Sequence, residues 1–358
     1  MNVSILGTRV NRTEDPRFLT TGGVYTDDMR LPGACHVYFV RSAVAHARIR
    51  SVDVSAALEA PGVIAAFTGA DLAGLPLAPP PMPGMINVKM SQPLLATDTV
   101  RYVGEPLAVV VTESRYQGED AADLVDVDYD MLPAVVDMTE ALDEASPAVL
   151  FPAAGSNVAA SFGDRSALAA DLFDGCEVVV SRTIVNQRVA PAPMETRAAV
   201  ASWDDAGRLT AWIPNQGAQG TKGALAGMLG IDPAALRVVT PDVGGAFGAK
   251  FGADTEHAVV CWVARRLGRP ARWAETRNEN LVGMTHGRAQ RQTVSIGAGA
   301  TRWFTMVRET TISQPSNRSA ARAAASPKVA ATLLPAAGNS TVSLSAASVR
   351  STTAGSMS

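Results

Sequence analysis

The chain has 358 residues, 47% of them hydrophobic and 18% charged, which is enough apolar mass for about two domains and excludes wholesale disorder. Its formal net charge of -3 argues against a nucleic-acid-binding protein, which would carry a basic excess. We expect a cytoplasmic protein with no transmembrane segment and no secretory leader, because no apolar run approaches the roughly 18 residues that cross a bilayer. Cys35, Cys176 and Cys261 are too far apart in sequence for a CxxC pair or an iron–sulfur pattern.

The first part of the chain predicts a mixed α+β domain over residues 20–143, after an N-terminal segment at 1–19. The apolar run at 107–111 predicts a buried strand. Ser114 and Gln117 form a capping box that starts a helix over 115–125. The other predicted elements of this part are strands at 35–40, 47–52, 62–68 and 127–136, and a short helix at 56–59.

The second part predicts another α+β unit over residues 167–300, after a linker at 144–166 that is rich in Ala, Pro and Ser. Thr221 is the expected N-cap of a helix over 222–229, and a further helix is expected to start at Asp254 and end at Gly268. The predicted strands of this part are 178–185, 198–203, 209–213 and 236–240.

The segment 301–358 differs in composition from the rest of the chain. It carries six basic residues and one acid, and no aromatic residue follows Phe304. Such a segment cannot bury enough apolar surface to offset the entropy of ordering it. Its composition therefore predicts disorder, or a sequence that is not native to this fold.

The strongest candidate for chemistry is the turn DVGGAFGAK at residues 242–250, between a predicted strand and a predicted helix. Its three glycines permit positive φ angles, so successive backbone N–H groups can face an anion or a polar ligand edge. A nucleotide-binding loop is disfavoured, because Ala249 and Phe251 flank Lys250 and the GxGxxG pattern is missing. Taken alone, the turn fits a ligand cradle and a tight structural turn equally well.

Other polar residues give weaker signals. Gln216 offers an amide donor and acceptor on the glycine-rich loop NQGAQG, although a solvated loop residue would look the same. Glu195 follows two prolines and is expected to be a salt-bridged structural carboxylate. The histidines show no metal-ligand spacing with one another. They are His36, His46, His257 and His286.

Six sequence motifs follow one another within residues 9–300. They are RTEDPRFL at 12–19, GVYTDD at 23–28, RSAVAHARI at 41–49, VGEPLAVV at 103–110, PMETR at 193–197 and GGAFGAK at 244–250. In their joint order, these motifs resemble the molybdenum-cofactor-binding large subunit of the xanthine dehydrogenase/aldehyde oxidase family, and the carbon monoxide dehydrogenase-like and aldehyde dehydrogenase branches are the most similar. The resemblance implies an α+β fold, with an α/β hammerhead domain over 20–143 and the truncated start of a molybdopterin-binding domain over 167–300.

This resemblance implies a molybdenum-molybdopterin cofactor, in its cytosine dinucleotide form, whose dithiolene holds the metal. It places Gln216 and Phe247 beside the metal without ligating it, whereas Glu195, Lys250 and Arg277 keep structural roles. The implied partners are an FAD-binding medium subunit, a [2Fe-2S] small subunit and the remaining C-terminal part of the large subunit. The expected reaction is hydroxylation of an aldehyde or related small substrate, or oxidation of carbon monoxide, with water as the oxygen source. The implied cofactor-binding residues are Gln216, Gly244, Gly245, Phe247 and Gly248.

Two departures from the family bear on function. Phe251 stands where the purine-oxidising branch has a substrate-binding Glu, which points away from xanthine. The motifs also end near Ala300, so the family's general-base Glu would lie beyond them and no catalytic residue is assigned. The change of composition there suggests a shifted reading frame as one hypothesis. The alternative to an enzyme subunit is a non-catalytic remnant that at most binds partner subunits.

Overall fold

The computed structural model describes residues 6–7, 9–80, 84, 86–161 and 173–299, and the backbone of 305–312, 324–325 and 331–332. The helices are α1 Asp15–Thr20, α2 Ser55–Leu58, α3 Arg115–Ala122, α4 Met138–Leu142, α5 Ala218–Leu229, α6 Thr255–Leu267 and α7 Arg277–Gly283. The strands are β1 Cys35–Arg41, β2 Ala47–Asp53, β3 Val63–Thr68, β4 Thr99–Val100, β5 Pro106–Thr112, β6 Asp126–Met131, β7 Ala160–Ser161, β8 Val178–Val189, β9 Ala198–Trp203, β10 Leu209–Trp212, β11 Leu236–Val239, β12 Ala271–Ala274, β13 Gly287–Ala298, β14 Thr305–Ile312, β15 Ala324–Ala325 and β16 Ala331–Thr332. None of the described helices is long and apolar enough to span a bilayer.

The largest sheet has seven strands in the order β11-β10-β9-β12-β1-β5-β3. Strand β1 pairs in parallel with β12, with Cys35 opposite Ala271, and pairs antiparallel with β5 on its other side. The two units predicted from sequence are therefore joined in one sheet. Local patterns do not reveal this ladder, because it links residues from distant parts of the chain.

The core lies on both faces of this sheet, and all seven residues of β5 are buried. On one face, Val109 and Val111 belong to the cluster that includes the apolar residues of α5 and α6. On the other face, Val110 packs with Ala57 of α2 and Ala121 of α3. Burial on both sides explains why β5 reads as a continuous apolar run, and it confirms the predicted buried strand.

The described residues form three smaller sheets as well, of which one has only the two short strands β15 and β7. In the sheet β4-β2-β6, Ile49, Val127 and Tyr129 pack inward, while the Asp residues of β6 alternate with them and are exposed. The remaining sheet has the order β16-β14-β13-β8, and its β8–β13 ladder runs nearly the full length of both twelve-residue strands. Val178 and Ile184 of β8 are about half exposed, at 60% and 56%.

The structure differs from the sequence prediction at both compositionally unusual segments. Within the predicted linker, Leu150 and Phe151 are buried in a small cluster with Ile86 and Met90. Thr305–Ile312 forms a strand on β13, although its composition predicts disorder. The unpaired backbone N–H and C=O groups at the edge of β13 can bond an adjacent strand of any sequence. A prediction from composition does not account for such backbone pairing. The rest of the predicted disordered segment lies outside the described residues, apart from β15 and β16.

A buried ionic network joins the ends of five elements, β1, β9, β12, α6 and α7. Arg197, just before β9, contacts Glu275 through both a hydrogen bond and an ion pair, and its Nη1 lies 2.9 Å from Asp254 Oδ2. Arg41 of β1 bonds Glu256 at 3.0 Å and Glu279 at 2.9 Å. Burial alone would lower the pKa of Arg197, but the charges of Glu275 and Asp254 outweigh it and raise that pKa. The network is therefore charged and mutually dependent, and loss of one partner would leave a buried charge unpaired.

Residue 257 gives this fold a testable pH dependence. The buried His257 ring accepts the Asp254 N–H at Nδ1, and burial is the main cause that lowers its pKa to about 4. As the pH falls below about 6.5, the histidine of the unfolded chain therefore becomes protonated, whereas His257 of the folded chain stays neutral until about pH 4.

Between pH 7 and 4.5, we expect the free energy of unfolding to fall by roughly 2 to 3 kcal/mol more in the natural chain than in His257→Gln. Gln keeps an acceptor for the Asp254 N–H, so urea unfolding at the two pH values isolates the titration, and equal losses in both proteins would contradict it.

Candidate functional site

The glycine-rich turn predicted from sequence runs from β11 to α6 and bends through left-handed backbone. Gly245 has φ +103°, Phe247 +52° and Gly248 +87°. A positive φ is costly for a residue with a bulky side chain, and such strained residues cluster at functional sites. The backbone of Phe247 is therefore a second reason, besides the sequence motif, to treat this turn as a candidate site.

Glu195 clamps the two ends of the turn. Its Oε2 accepts the Gly244 N–H at 2.9 Å and the Lys250 ammonium at 2.8 Å, and its own N–H donates to the Gly244 carbonyl at 3.1 Å. Lys250 is buried, which lowers its pKa, although the hydrogen bond and charge of Glu195 oppose that shift. A Cβ at Gly244 would lie 2.6 Å from the Glu195 Cβ, so the clamp requires glycine there.

Gln216 lies against the C-terminal end of the same turn. Its N–H donates to the Lys250 carbonyl at 3.0 Å, and its side-chain Oε1 accepts the Lys250 N–H at 3.3 Å. Asn215, which the sequence analysis missed, shapes this loop by bonding Thr240 Oγ1 at 2.7 Å and the Gly217 N–H at 2.9 Å. The predicted cap Thr221 is wrong: α5 begins at Ala218, and the Thr221 hydroxyl bonds back to the Gly217 carbonyl from inside the helix.

Between these clamps, the turn holds a run of open donors. Within the described part of the chain, the backbone N–H groups of residues 245–248 have no hydrogen-bond acceptor. Successive N–H groups in a turn with positive φ angles form a concave surface that binds anions or the oxygen edge of a ligand. The arrangement can therefore hold an electron-rich group without a charged side chain.

Exposed apolar side chains surround this donor surface. Met194 is 91% exposed, Phe247 75% and Phe251 73%. Large apolar side chains at this level of exposure, next to a strained turn, indicate a surface that contacts something else. The residues pair open polar donors with an apolar wall, which is the usual composition of a small-molecule site.

Arg277 fixes the segment that carries Glu195. Its Nη2 donates to the Pro193 carbonyl at 2.6 Å and the Met194 carbonyl at 2.9 Å, and its Nη1 donates to Asn280 Oδ1 at 2.9 Å. The guanidinium of Arg277 therefore bonds Asn280 and the backbone carbonyls of Pro193 and Met194. Its contacts, like those of Glu195 and Lys250, fit the structural roles expected for these three residues.

The start of the turn is held by residues that no sequence pattern brings together. Arg17 donates twice to the Asp242 carboxylate, at 2.6 and 2.7 Å, and the Val24 N–H donates to Asp242 Oδ2 at 2.8 Å. The hydrogen bond from Arg17 is the main cause that lowers the pKa of Asp242 to about 2. Arg17 lies in the motif RTEDPRFL and Asp242 begins the turn DVGGAFGAK, but only the fold reveals that the two residues are in contact.

The donor set of the site is made of hydrogen-bond donors rather than metal ligands. Across the described residues, no group of three His, Cys, Asp or Glu side chains could hold a metal ion. A metal at this turn would therefore have to arrive within an organic ligand that supplies its own donor atoms. The protein would then contribute hydrogen bonds and shape around it.

The clamp can be tested with two glycines. We expect Gly244→Ala to lower the free energy of unfolding by about 1 to 3 kcal/mol, because its Cβ would force Glu195 away from the turn. The matched control is Gly223→Ala in α5, where a Cβ meets nothing within 4 Å and Ala should stabilise the helix by up to about 1 kcal/mol. Urea unfolding measures both variants, and a Gly244→Ala protein as stable as the natural chain would show that the clamp is absent.

Two family models match the chain. One described as a molybdopterin cofactor-binding domain matches residues 150–337, which extends past the motifs that end near Ala300. The other, described as the a/b hammerhead domain of aldehyde oxidase and xanthine dehydrogenase, matches residues 20–133. The boundaries at 143, 167 and 300 inferred from composition stay predictions.

Known proteins similar to this chain include large subunits of a hydroxylase and of a dehydrogenase. The large subunit of nicotine 6-hydroxylase from Paenarthrobacter nicotinovorans is 39% identical over 85% of this chain and 37% of its own length. The carbon monoxide dehydrogenase large chain of Hydrogenophaga pseudoflava is 35% identical over 75% of this chain and 34% of its own. The chain thus spans little more than a third of these relatives.

A solved structure agrees with these similarities and identifies the family. Quinoline 2-oxidoreductase from Pseudomonas putida 86 superposes with a TM-score of 0.77 and 37% identity, covering 86% of this chain and 39% of that one. The fold is thus a hammerhead domain joined to a molybdopterin-binding domain, as the motifs predict. The chain belongs to the xanthine dehydrogenase/aldehyde oxidase family of molybdopterin-dependent oxidoreductases.

Proposed function

We propose that this chain supplies part of the wall that holds the molybdenum-molybdopterin cofactor of a hydroxylase, through residues 244–248 and Gln216. The observation that carries the proposal is the run of open N–H groups at residues 245–248, held between the Glu195 clamp and Gln216. These groups are donors fixed in advance, and they cost little reorganisation when a ligand binds. Gly244 and Gly245 let the turn pack closely against the Glu195 segment, and Gly248 leaves open space where a side chain would keep the ligand at a distance.

The donors of this turn fit the proposed cofactor chemically. A pterin and its phosphates offer many acceptor atoms, and the dithiolene supplies the metal's ligands, so the site needs no protein thiolate or imidazole. When bound, the cofactor supplies a two-electron oxidation in which water provides the oxygen: RH and H₂O yield ROH, two protons and two electrons. Gln216 would orient the group beside its amide, and Phe247 would exclude water from it. We favour the cytosine dinucleotide form of the cofactor, as the family resemblance implies.

The two electrons must leave this chain through other subunits. The three cysteines Cys35, Cys176 and Cys261 are free thiols spread over the chain, so they offer no cluster site. We propose an FAD-binding medium subunit and a [2Fe-2S] small subunit as acceptors, and the rest of the large subunit as the source of the general base. Free thiols also support a reducing compartment such as the cytoplasm.

For the substrate, we propose a small neutral organic molecule, either an aldehyde or an aromatic nitrogen heterocycle, with carbon monoxide as the competing candidate. Phe247, Phe251 and Met194 give the turn an apolar border that suits a flat organic molecule. Two similar proteins are named for nicotine and quinoline, both nitrogen heteroaromatic compounds. Phe251 disfavours a purine, which would require a polar partner at that border.

The second candidate is a remnant that binds partner subunits but no cofactor. The two candidates differ in one measurable property, which is whether the chain carries molybdenum and pterin.

We expect the tagged natural chain, purified with its associated subunits from cells that make the cofactor, to contain molybdenum and pterin in equal amounts. Elemental analysis gives the metal, and fluorescence of the oxidised pterin gives the organic part. The same preparation, with a redox dye as electron acceptor, should oxidise quinoline or an aldehyde faster than carbon monoxide. A preparation without metal and pterin would contradict the proposal and favour the remnant.

A pair of glycine variants localises the site. Gly245→Ala and Gly207→Ala both place a Cβ on backbone of positive φ, +103° and +74°, but only Gly245 lies in the turn. We expect Gly245→Ala to lose most of its pterin and Gly207→Ala, in the β9–β10 hairpin, to keep it. Equal pterin content in both variants would show that the cofactor binds elsewhere.

A further inference from the structure

A segment far away in sequence holds the start of the glycine turn, and we name it the N-terminal strap, residues 15–28. At one end, Arg17 and Val24 bond Asp242, and the Asp242 N–H returns a bond to the Val24 carbonyl at 3.0 Å. At its other end, Asp27 accepts from Arg272 of β12 at 2.8 Å and from Arg115 of α3 at 3.2 Å. The strap therefore ties the turn to the central sheet and to the helix above it.

The strap also packs directly against the turn. A Cβ built on Gly244 would lie 3.5 Å from the Tyr25 ring, next to the Glu195 Cβ on its other side. Gly244, which lies two residues after Asp242, is thus packed between the strap and the Glu195 segment. Displacement of the strap would free this side of the turn.

We propose that Arg17 and Asp242 are positioning residues for the cofactor turn. They fix its first residue, Asp242, to the strap, while Glu195 holds both Gly244 and Lys250 and Gln216 holds Lys250. The inference rests on the proposed function, since it assumes that residues 245–248 contact the cofactor. A turn with three positive φ angles samples many conformations unless both ends are fixed. Fixing both ends leaves the donors of 245–248 in one arrangement before the ligand arrives.

The chemistry of the pair suits this role. Two parallel N–H···O bonds define the orientation of the carboxylate as well as its distance, which a lysine could not do. Asp242 keeps its negative charge at any physiological pH, because the hydrogen bond from Arg17 lowers its pKa to about 2. The strap is thus a constant anchor rather than a pH switch.

The test compares Arg17→Met and Asp242→Asn with Arg12→Met in the chain free of cofactor. Asp242→Asn keeps an oxygen for the Val24 N–H but loses the charge. Arg12 lies just before the strap, its side chain is 70% exposed, and it contacts Glu14, Asp15 and the Phe18 ring rather than the turn, so it is the matched control. Amide hydrogen exchange is read at Gly244 and Lys250, whose N–H groups bond Glu195 and Gln216 rather than the strap.

We expect exchange at Gly244 and Lys250 to rise about fivefold in Arg17→Met and Asp242→Asn, and to stay unchanged in Arg12→Met. A faster exchange confined to the amides of Val24 and Asp242 would overturn the inference, because loss of the contact would then leave the turn itself unchanged. The double variant should exchange no faster than the faster single variant, since both act through one contact. If Arg17→Met does not fold, which thermal unfolding would show, Asp242→Asn decides alone.

A second readout separates this inference from the proposed function. In chains loaded with cofactor, pterin should dissociate faster from Arg17→Met than from Arg12→Met, and Arg17→Lys should restore little. Equal dissociation rates would overturn the positioning role. A natural chain that binds no pterin would instead contradict the proposed function. The exchange comparison would still test whether the strap orders the turn, because it uses chains free of cofactor.

Discussion

The site depends on one carboxylate that holds both ends of a glycine turn. Glu195 receives the Gly244 N–H and the buried Lys250 ammonium on the same oxygen, so the ends of the turn cannot separate. What lies between them, residues 245–248, keeps its N–H groups free of acceptors within the described chain. Hydrogen-bond donors that a protein leaves open are expensive unless a ligand or water uses them. The clamp therefore leaves the donors of residues 245–248 available to the cofactor that we propose for this turn.

Other parts of the fold hold the segments around this clamp in place. The sheet places β1 from the first half of the chain beside β12 from the second, and Arg41 and Arg197 join their ends through shared carboxylates. Arg277 fixes the backbone that carries Glu195. A family whose metal comes inside an organic cofactor needs rigid donors more than it needs metal ligands, and this network supplies rigidity.

Local patterns predict the elements of this fold better than their arrangement. The apolar run of β5 and the capping box at Ser114 depend on neighbours in sequence, and both are present in the structure. Thr221 fails as a predicted cap because Gly217 already starts the helix, and a threonine hydroxyl can bond back to the preceding turn. The family resemblance implies that Gln216 and the glycine turn share one site, which stays a prediction. The contact between Arg17 and Asp242 depends on tertiary structure alone, and no local pattern indicates it.

The most direct measurement of this account is amide hydrogen exchange at residues 245–248 in the natural chain with and without bound molybdenum-pterin. These amides should exchange rapidly in the free chain and become protected when the cofactor binds, while amides of the β9–β10 hairpin stay unchanged. Cofactor bound at full occupancy with no new protection at 245–248 would contradict the claim that this turn holds it.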